Sequence, residues 1–221
     1  MKKSIYYLIF GITLCGITLT LYYCKNNNPI TKKNSSTNDS NGTQYGDITL
    51  TDVEQNQFNI LKVAFDKTNE KANNYTNQIN NGIFHMKIKG PRIIERIRNK
   101  YPGFSKWLSK NIPKQKELAN AFASAYNFIE KKRKIHTPDK TIEQYISNAI
   151  DCSFDHSCNN KNNIKNYGFS DTDDNLTSTF FTNILINITV KDTNEEMFNV
   201  LKENLTNEIV DGPLYLLKNW Q

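Results

Sequence analysis

The sequence predicts an all-α fold: a single compact bundle of about six or seven helices over residues 51–221, behind an apolar leader and a polar tether. Three observations predict it. From Leu118 onward, apolar residues fall at Ala121, Phe122, Ala125, Tyr126 and Ile129, the spacing of one face of a helix. After Thr137-Pro138 breaks the chain, Ile142, Tyr145, Ile146, Ala149 and Ile150 repeat that stripe. Residues that cap helices also stand where the periodic runs begin, at Thr51, Asn111 and Thr193.

The leader comes first. Lys2 and Lys3 precede an apolar run from Ile5 to Tyr23, and Cys24 with a polar Lys-Asn-Asn-Asn flank follows at once. A basic segment, an apolar segment and then a polar flank is the plan of an export signal. A cysteine at that junction points to a lipoprotein signal over residues 1–23, with Cys24 as the acylated new N-terminus. Leu21 supplies the apolar residue at −3, whereas Tyr23 at −1 departs from the small residue a signal peptidase prefers. Cys15 is no better placed, having Leu14 before it. Two other readings stay open: an uncleaved anchor, since the run would span roughly 28 Å as a helix, and simple secretion. Lysines on both flanks leave the orientation unset. The lipoprotein and anchor readings both fasten the chain to a membrane.

Residues 24–50 have no apolar period and are rich in Asn, Ser, Thr and Gly. Such a segment is too polar to offset the entropy of ordering and reads as a flexible tether, with an r.m.s. reach of roughly 28 Å. Order begins at Thr51, where Thr51-Asp52-Val53-Glu54 forms a capping-box pattern. Phe58, Leu61, Phe65, Ala72, Tyr75 and Ile79 then line a long helix ending before Asn81-Gly82. Beyond Gly90-Pro91, Ile93, Ile94 and Ile97 mark a short helix. Tyr101-Pro102-Gly103 reads as a turn, and Phe104, Trp107 and Leu108 as one or two further helical turns.

The central pair follows. Asn111 and Pro113 suit the start of the helix that carries the Leu118–Ile129 stripe. Lys114, Gln115, Lys116, Asn120, Asn127 and Glu130 form its solvent face, and Lys131 to Lys134 complement its negative end. With a short break between them, the two helices of the pair are expected to face each other. Further on, Leu176, Phe180, Ile184, Leu185 and Ile188 fit a helix, although the β-branched run over 176–190 leaves a strand open. A last helix is capped at Thr193, with Phe198, Leu201, Leu205 and Ile209 inward and Asp211-Gly212-Pro213 as its stop. The apolar tail from Leu214 packs back on the body.

Charge and cysteines narrow the function classes. The formal net charge is +6, of which Lys2 and Lys3 contribute two, and that excess is too small to argue for nucleic acid. Its distribution is more informative. Between His85 and Lys116 ten Lys/Arg face one acid, and from Asp171 onward nine acids face three bases. Arg92, Arg96, Arg98, Lys100, Lys106, Lys110 and Lys114 are thus a candidate patch for an acidic protein, a sulfated glycan or anionic lipid. The plain alternative is a solvated face partly neutralised by the acidic C-terminal helices. Cys152 and Cys158 are the cysteines outside the leader. In an exported chain they are expected to pair around a small loop, worth about 2 kcal/mol in the chain-entropy model.

No catalytic constellation emerges. Asp151, Asp155 and His156 around the cysteines lack the paired CxxC spacing of a zinc site. Asp171-Thr172-Asp173-Asp174-Asn175 begins like a calcium loop, but Leu176 stands where glycine is required and Thr182 where a bidentate glutamate is required. His85, His136 and His156 are isolated, and no GxSxG, Walker or GxGxxG pattern occurs. No enzyme, metal or cofactor is expected.

ERIRNKYPGFSKWLS (95–109), KQKELANAFASAYNFIEKKRK (114–134), TIEQYISNAIDC (141–152), the distal Cys158, NEEMFNVLKENL (194–205) and the terminal Asn219-Trp220 resemble the Mlp (multicopy lipoprotein) family of Borrelia surface lipoproteins. The resemblance covers about residues 50–221 and rests on packing and capping motifs. It implies an outer-membrane lipoprotein exposed to the host, anchored at Cys24, acting in host interaction or immune evasion without catalysis. The alternative is an anchored structural protein facing the periplasm.

Overall fold

The computed structural model describes residues 49–80, 90–154, 165–168 and 175–220. The leader, nearly all of the expected tether, Cys158, Asp155, His156 and the Asp171–Asp174 run lie outside them.

Among the described residues are seven helices and no strand: α1 (Asp52–Asn80), α2 (Pro91–Leu108), α3 (Ile112–His136), α4 (Ile142–Phe154), α5 (Leu176–Thr189), α6 (Asn194–Thr206) and α7 (Pro213–Lys218). Leu50, at the expected end of the tether, is already partly buried against the core. Thr51 caps α1 as its pattern predicts: Glu54 donates its backbone N–H to Thr51 Oγ1 (3.2 Å), and Thr51 N–H returns a bond to Glu54 Oε2 (2.8 Å). The same reciprocal box starts α6 at Thr193 and Glu196. Thr141 and Gln144 form another ahead of α4.

The long α1 is an axis of the bundle, packing against α2, α3, α4 and α5. This corrects one expectation. The stripes of α3 and α4 do not chiefly face each other; both are turned onto α1, which buries Phe58, Ile60, Leu61, Ala64 and Phe65 against them. A second hub is α5, in contact with α7, α6, α2, α4 and α1. Its β-branched run is a helix because neighbours enclose it on nearly every side. Phe180, Phe181, Ile184, Leu185 and Ile188 are all at most 1% exposed, and Thr177, Ser178 and Thr189 are buried with them. Thr177 and Thr189 return their hydroxyls to the carbonyls of Tyr167 and Leu185, so those two cost little there, whereas the Ser178 hydroxyl is buried without a partner. The core meets around Phe181, whose ring lies 5.9 Å from Phe65 and 6.2 Å from Phe122, edge-on and tilted.

Three further expectations are corrected. Tyr101-Pro102-Gly103 is not a turn, because α2 runs through it unbroken. A proline inside a helix costs about 3 kcal/mol. Here Pro102 is exposed, so water can serve the carbonyl it orphans, and Ile94, Ile97, Tyr101, Phe104 and Leu108 stay buried on one face. Gln115, assigned to the solvent side of α3, is buried, and its Nε2 donates to the Leu108 carbonyl at 3.0 Å. The Leu108 carbonyl, in the last turn of α2, also accepts the Asn111 backbone N–H at 3.0 Å, so the buried amide adds a second bond to it. Finally, Ile209 is 60% exposed, because α6 ends at Thr206; Gly212-Pro213 begins α7 instead of stopping α6.

Candidate functional site

The seven cations expected to form one patch fall into two groups. Lys100 and Lys114 are spent internally. Lys100 Nζ pairs with Asp192 (2.8 Å) and donates to the Lys191 carbonyl (2.7 Å). Lys114 Nζ pairs with Glu195 (2.7 Å) and sits 4.1 Å from the centre of the Phe198 ring and 5.6 Å from that of Trp107. Both therefore clamp α6 to the α2–α3 corner. The other five, Arg92, Arg96, Arg98, Lys106 and Lys110, remain on α2 and the turn that follows it. Arg92, Arg98, Lys106 and Lys110 are exposed, while Arg96 is half-buried, with an enclosed Nε that meets no acceptor. Helical spacing sets Arg92, Arg96 and Lys106 on one broad side of α2, with Lys110 beyond its end.

Lys106 and Lys110 also border an open groove of about 430 Å³ between α1 and α2. Lys62, Asp66 and Asn69 supply its α1 wall; Tyr101, Pro102, Ser105 and Ser109 supply the other. Beneath it the packing closes, with about 10 Å³ left among Phe58, Leu61, Phe65, Phe104 and their neighbours. The groove is therefore a surface cleft on a solid floor. Its one acid is already committed: Asp66 accepts from Lys62 Nζ (2.5 Å) and from the Tyr101 hydroxyl (2.7 Å). Burial, and then the negative charge of Asp66, push the Tyr101 hydroxyl well above its ordinary pKa, so the phenol stays a neutral donor. Lys106 and Lys110 make no ion pair among the described residues. The balance of three lysines against one aspartate leaves the cleft positive.

Sequence reasoning identified the α2 side of this cleft and missed the α1 side. Lys62 and Asp66 are an ordinary i, i+4 pair on a helix surface, and nothing local says that Tyr101 will reach across to them.

A second cationic cluster stands at the far end of α3. Lys132 Nζ lies 4.6 Å from the Trp220 ring centre and 5.6 Å from that of Phe128, and His136 stacks on Trp220 at 5.3 Å. Burial, and then the charge of Lys132, lower the His136 pKa. Arg133 is held by Glu130 (2.7 Å) and donates to the Lys140 and Pro138 carbonyls, closing the turn into α4. These groups are structural. Asp151, weighed as a metal ligand, accepts from Lys71 (2.7 Å) and Lys67 (3.2 Å) of α1. Desolvation pulls its carboxyl upward, but the hydrogen bonds from Lys71 and Lys67 outweigh it and hold the pKa below the ordinary value. Cys152 is disulfide-bonded and buried; its expected partner, Cys158, lies outside the described residues, as does Cys24. Among the described residues no helix is long and apolar enough to cross a membrane.

Two curated relatives match this chain. Lipoprotein MlpJ of Borreliella burgdorferi is 32% identical over 225 aligned positions, covering 96% of this chain and 98% of its own. The chain belongs to the Mlp lipoprotein family. Lipoprotein MlpB of the same organism is 34% identical over 155 positions, 65% of this chain and 67% of its own. No family model matches, and no solved structure matches. Within this Mlp chain, then, the cleft is defined by its own residues and not by analogy to a bound relative.

Proposed function

We propose that the protein is a lipid-anchored envelope protein, tethered through Cys24, which presents its helical body outside the cell and meets an acidic host molecule through the cationic face of α2. Catalysis has no part in this reading. What carries it is a similarity to MlpJ that runs over nearly the whole chain, leader included, in a protein named as a lipoprotein. An apolar run that ends on a cysteine suits acylation, and the polar stretch after it suits a stalk. The remaining cations of the α2 face support the contact surface because, unlike Lys100 and Lys114, they make no ion pair among the described residues. A Cys152–Cys158 bridge fits the same location, since disulfides persist outside the cytoplasm.

Protease treatment of intact cells, followed by mass spectrometry of the full-length protein, tests the reading. Loss of the helical body from protease-treated intact cells, with an acylated Cys24 N-terminal fragment retained, is the expected result. A body that survives on intact cells and is cut only after the outer membrane is opened would place it facing the periplasm. A Cys24→Ala chain that still partitions into detergent would remove the lipid anchor in favour of an intact apolar span.

A further inference from the structure

We propose that the α1–α2 cleft receives an acidic side chain of a protein partner, with Lys106 and Lys110 as its charge partners and Lys62 at the opposite rim. The proposal deepens the reading of α2 as a contact face and rests on it. A surface cation normally contributes little unless it has a fixed counter-charge. Lys106 and Lys110 have none among the described residues, and the one acid that lines the cleft, Asp66, is taken by Lys62 and Tyr101. An incoming carboxylate therefore meets two uncommitted ammonium groups and no free like charge in the cleft.

The remaining lining decides the kind of ligand. The walls are mostly apolar: the Tyr101 ring, Pro102 and the alkyl stems of the lysines. The cleft's volume of about 430 Å³ suits one or two side chains and not an extended polyanion. Asn69 Oδ1 is enclosed and has no hydrogen-bond partner. The amide torsion of asparagine is soft, so a small turn would offer that acceptor to a backbone N–H of the ligand. A carboxylate, an adjoining apolar surface and an N–H donor together describe an acidic residue beside an apolar one in a peptide. A sulfated sugar offers negative charge without the apolar flank.

The test uses the full-length chain in a neutral detergent and a dye-labelled peptide that alternates glutamate and leucine, read by fluorescence polarisation. A sulfated oligosaccharide of equal charge is the comparison. Lys106→Glu with Lys110→Glu is expected to weaken peptide binding about tenfold or more, because two attractive contacts become repulsive. Ser105→Phe, which fills the cleft without changing its charge, is expected to weaken it about fivefold, since insertion and not charge alone is at stake. Arg92→Glu with Arg98→Glu is expected to change it less than about twofold, and Lys131→Glu with Lys134→Glu, at the far end of α3, not at all. Should Ser105→Phe lower the melting temperature, Ser109→Phe at the exposed mouth replaces it. Undiminished binding by the filled variants overturns the proposal. Equal losses from the Arg92/Arg98 and Lys106/Lys110 reversals leave the α2 face standing and remove the cleft. Binding of the oligosaccharide but not the peptide overturns the choice of ligand, and binding of neither removes both readings.

Discussion

The two ends of the α2–α3 region carry similar charge and use it differently. At the far end of α3, Lys132 makes no ion pair among the described residues but lies over Trp220 and Phe128, and desolvation, with Lys131 beside it, lowers its pKa. The ring faces serve as its counter-charge. At the near end, Lys106 and Lys110 border a cleft whose one acid, Asp66, is taken by Lys62 and Tyr101, and neither lysine makes an ion pair or ring contact among the described residues. Lys114, only four positions after Lys110, joins the first kind, because α6 delivers Glu195 and Phe198 to it. A run of basic residues is therefore not a site. The residues that matter are those the fold leaves without a partner.

Variants that sharpen this contrast begin with the aromatic clasp. Trp220 is 7% exposed, stacks on His136 and meets Phe128 edge-on at 6.3 Å. Gly168, at φ +85°, comes so close that an added Cβ would lie 2.8 Å from the indole Cδ2. Trp220→Ala is expected to cost about 3–5 kcal/mol in a urea unfolding midpoint, from lost burial and the hole it leaves. A cost under about 1 kcal/mol would mean that the C-terminal turn is an ornament on the bundle and that Lys132 has no structural task.

Next in size is the buried amide. Gln115→Leu keeps the volume and removes one of the two donors to the Leu108 carbonyl, the other being the Asn111 N–H, which is expected to cost about 0.5–1.5 kcal/mol. No loss would mean that the Asn111 N–H alone suffices for that carbonyl. Lys114→Met keeps the stem and removes the charge. Its ion pair with Glu195 and its contact with Phe198 predict a loss of about 1 kcal/mol, with little of that difference erased at high salt because the side chain is only 20% exposed.

The clasp also gives a pH dependence. Because the folded state lowers the His136 pKa below the ordinary 6.5, the fold favours the neutral ring. Such a contribution is present above 6.5 and is lost as pH falls toward the lowered value. Melting temperature is therefore expected to decline across that window, and His136→Phe to flatten the decline. Asp151 adds a similar loss at lower pH, as its carboxyl, held below the usual value by Lys71 and Lys67, becomes protonated.

Much of this fold was legible because it is written locally. The Leu118–Ile129 and Tyr145–Ile150 stripes are buried as their spacing requires, and the Thr51 and Thr193 boxes form from residues three apart. What escaped was decided by partners far along the chain. Pro102 reads as a break until the buried face that spans it is known, and Gln115 reads as solvated until its burial beside the end of α2 is known. For the same reason Ile209 reads as inward until α6 is seen to end at Thr206. The cleft was half legible: its cations lie on one helix, but Asp66 and Asn69 come from α1, and Tyr101 must cross to Asp66 before a cleft exists.

The smallest expected effect on stability tests the contrast most directly. Lys106 and Lys110 are exposed and make no ion pair among the described residues, so replacing both with alanine is expected to shift unfolding by less than about 0.5 kcal/mol. Lys100→Ala, by comparison, breaks the bond to Asp192 and the bond to the Lys191 carbonyl, and is expected to lower the unfolding midpoint measurably. Asp192 is itself highly exposed, so most of that loss should come from the carbonyl contact at the start of α6. If the double alanine variant proves as costly as Lys100→Ala, then Lys106 and Lys110 have structural partners after all, and the division between committed and available cations falls. If it is silent in unfolding but weakens peptide capture, the two groups of lysines differ in function and not merely in exposure.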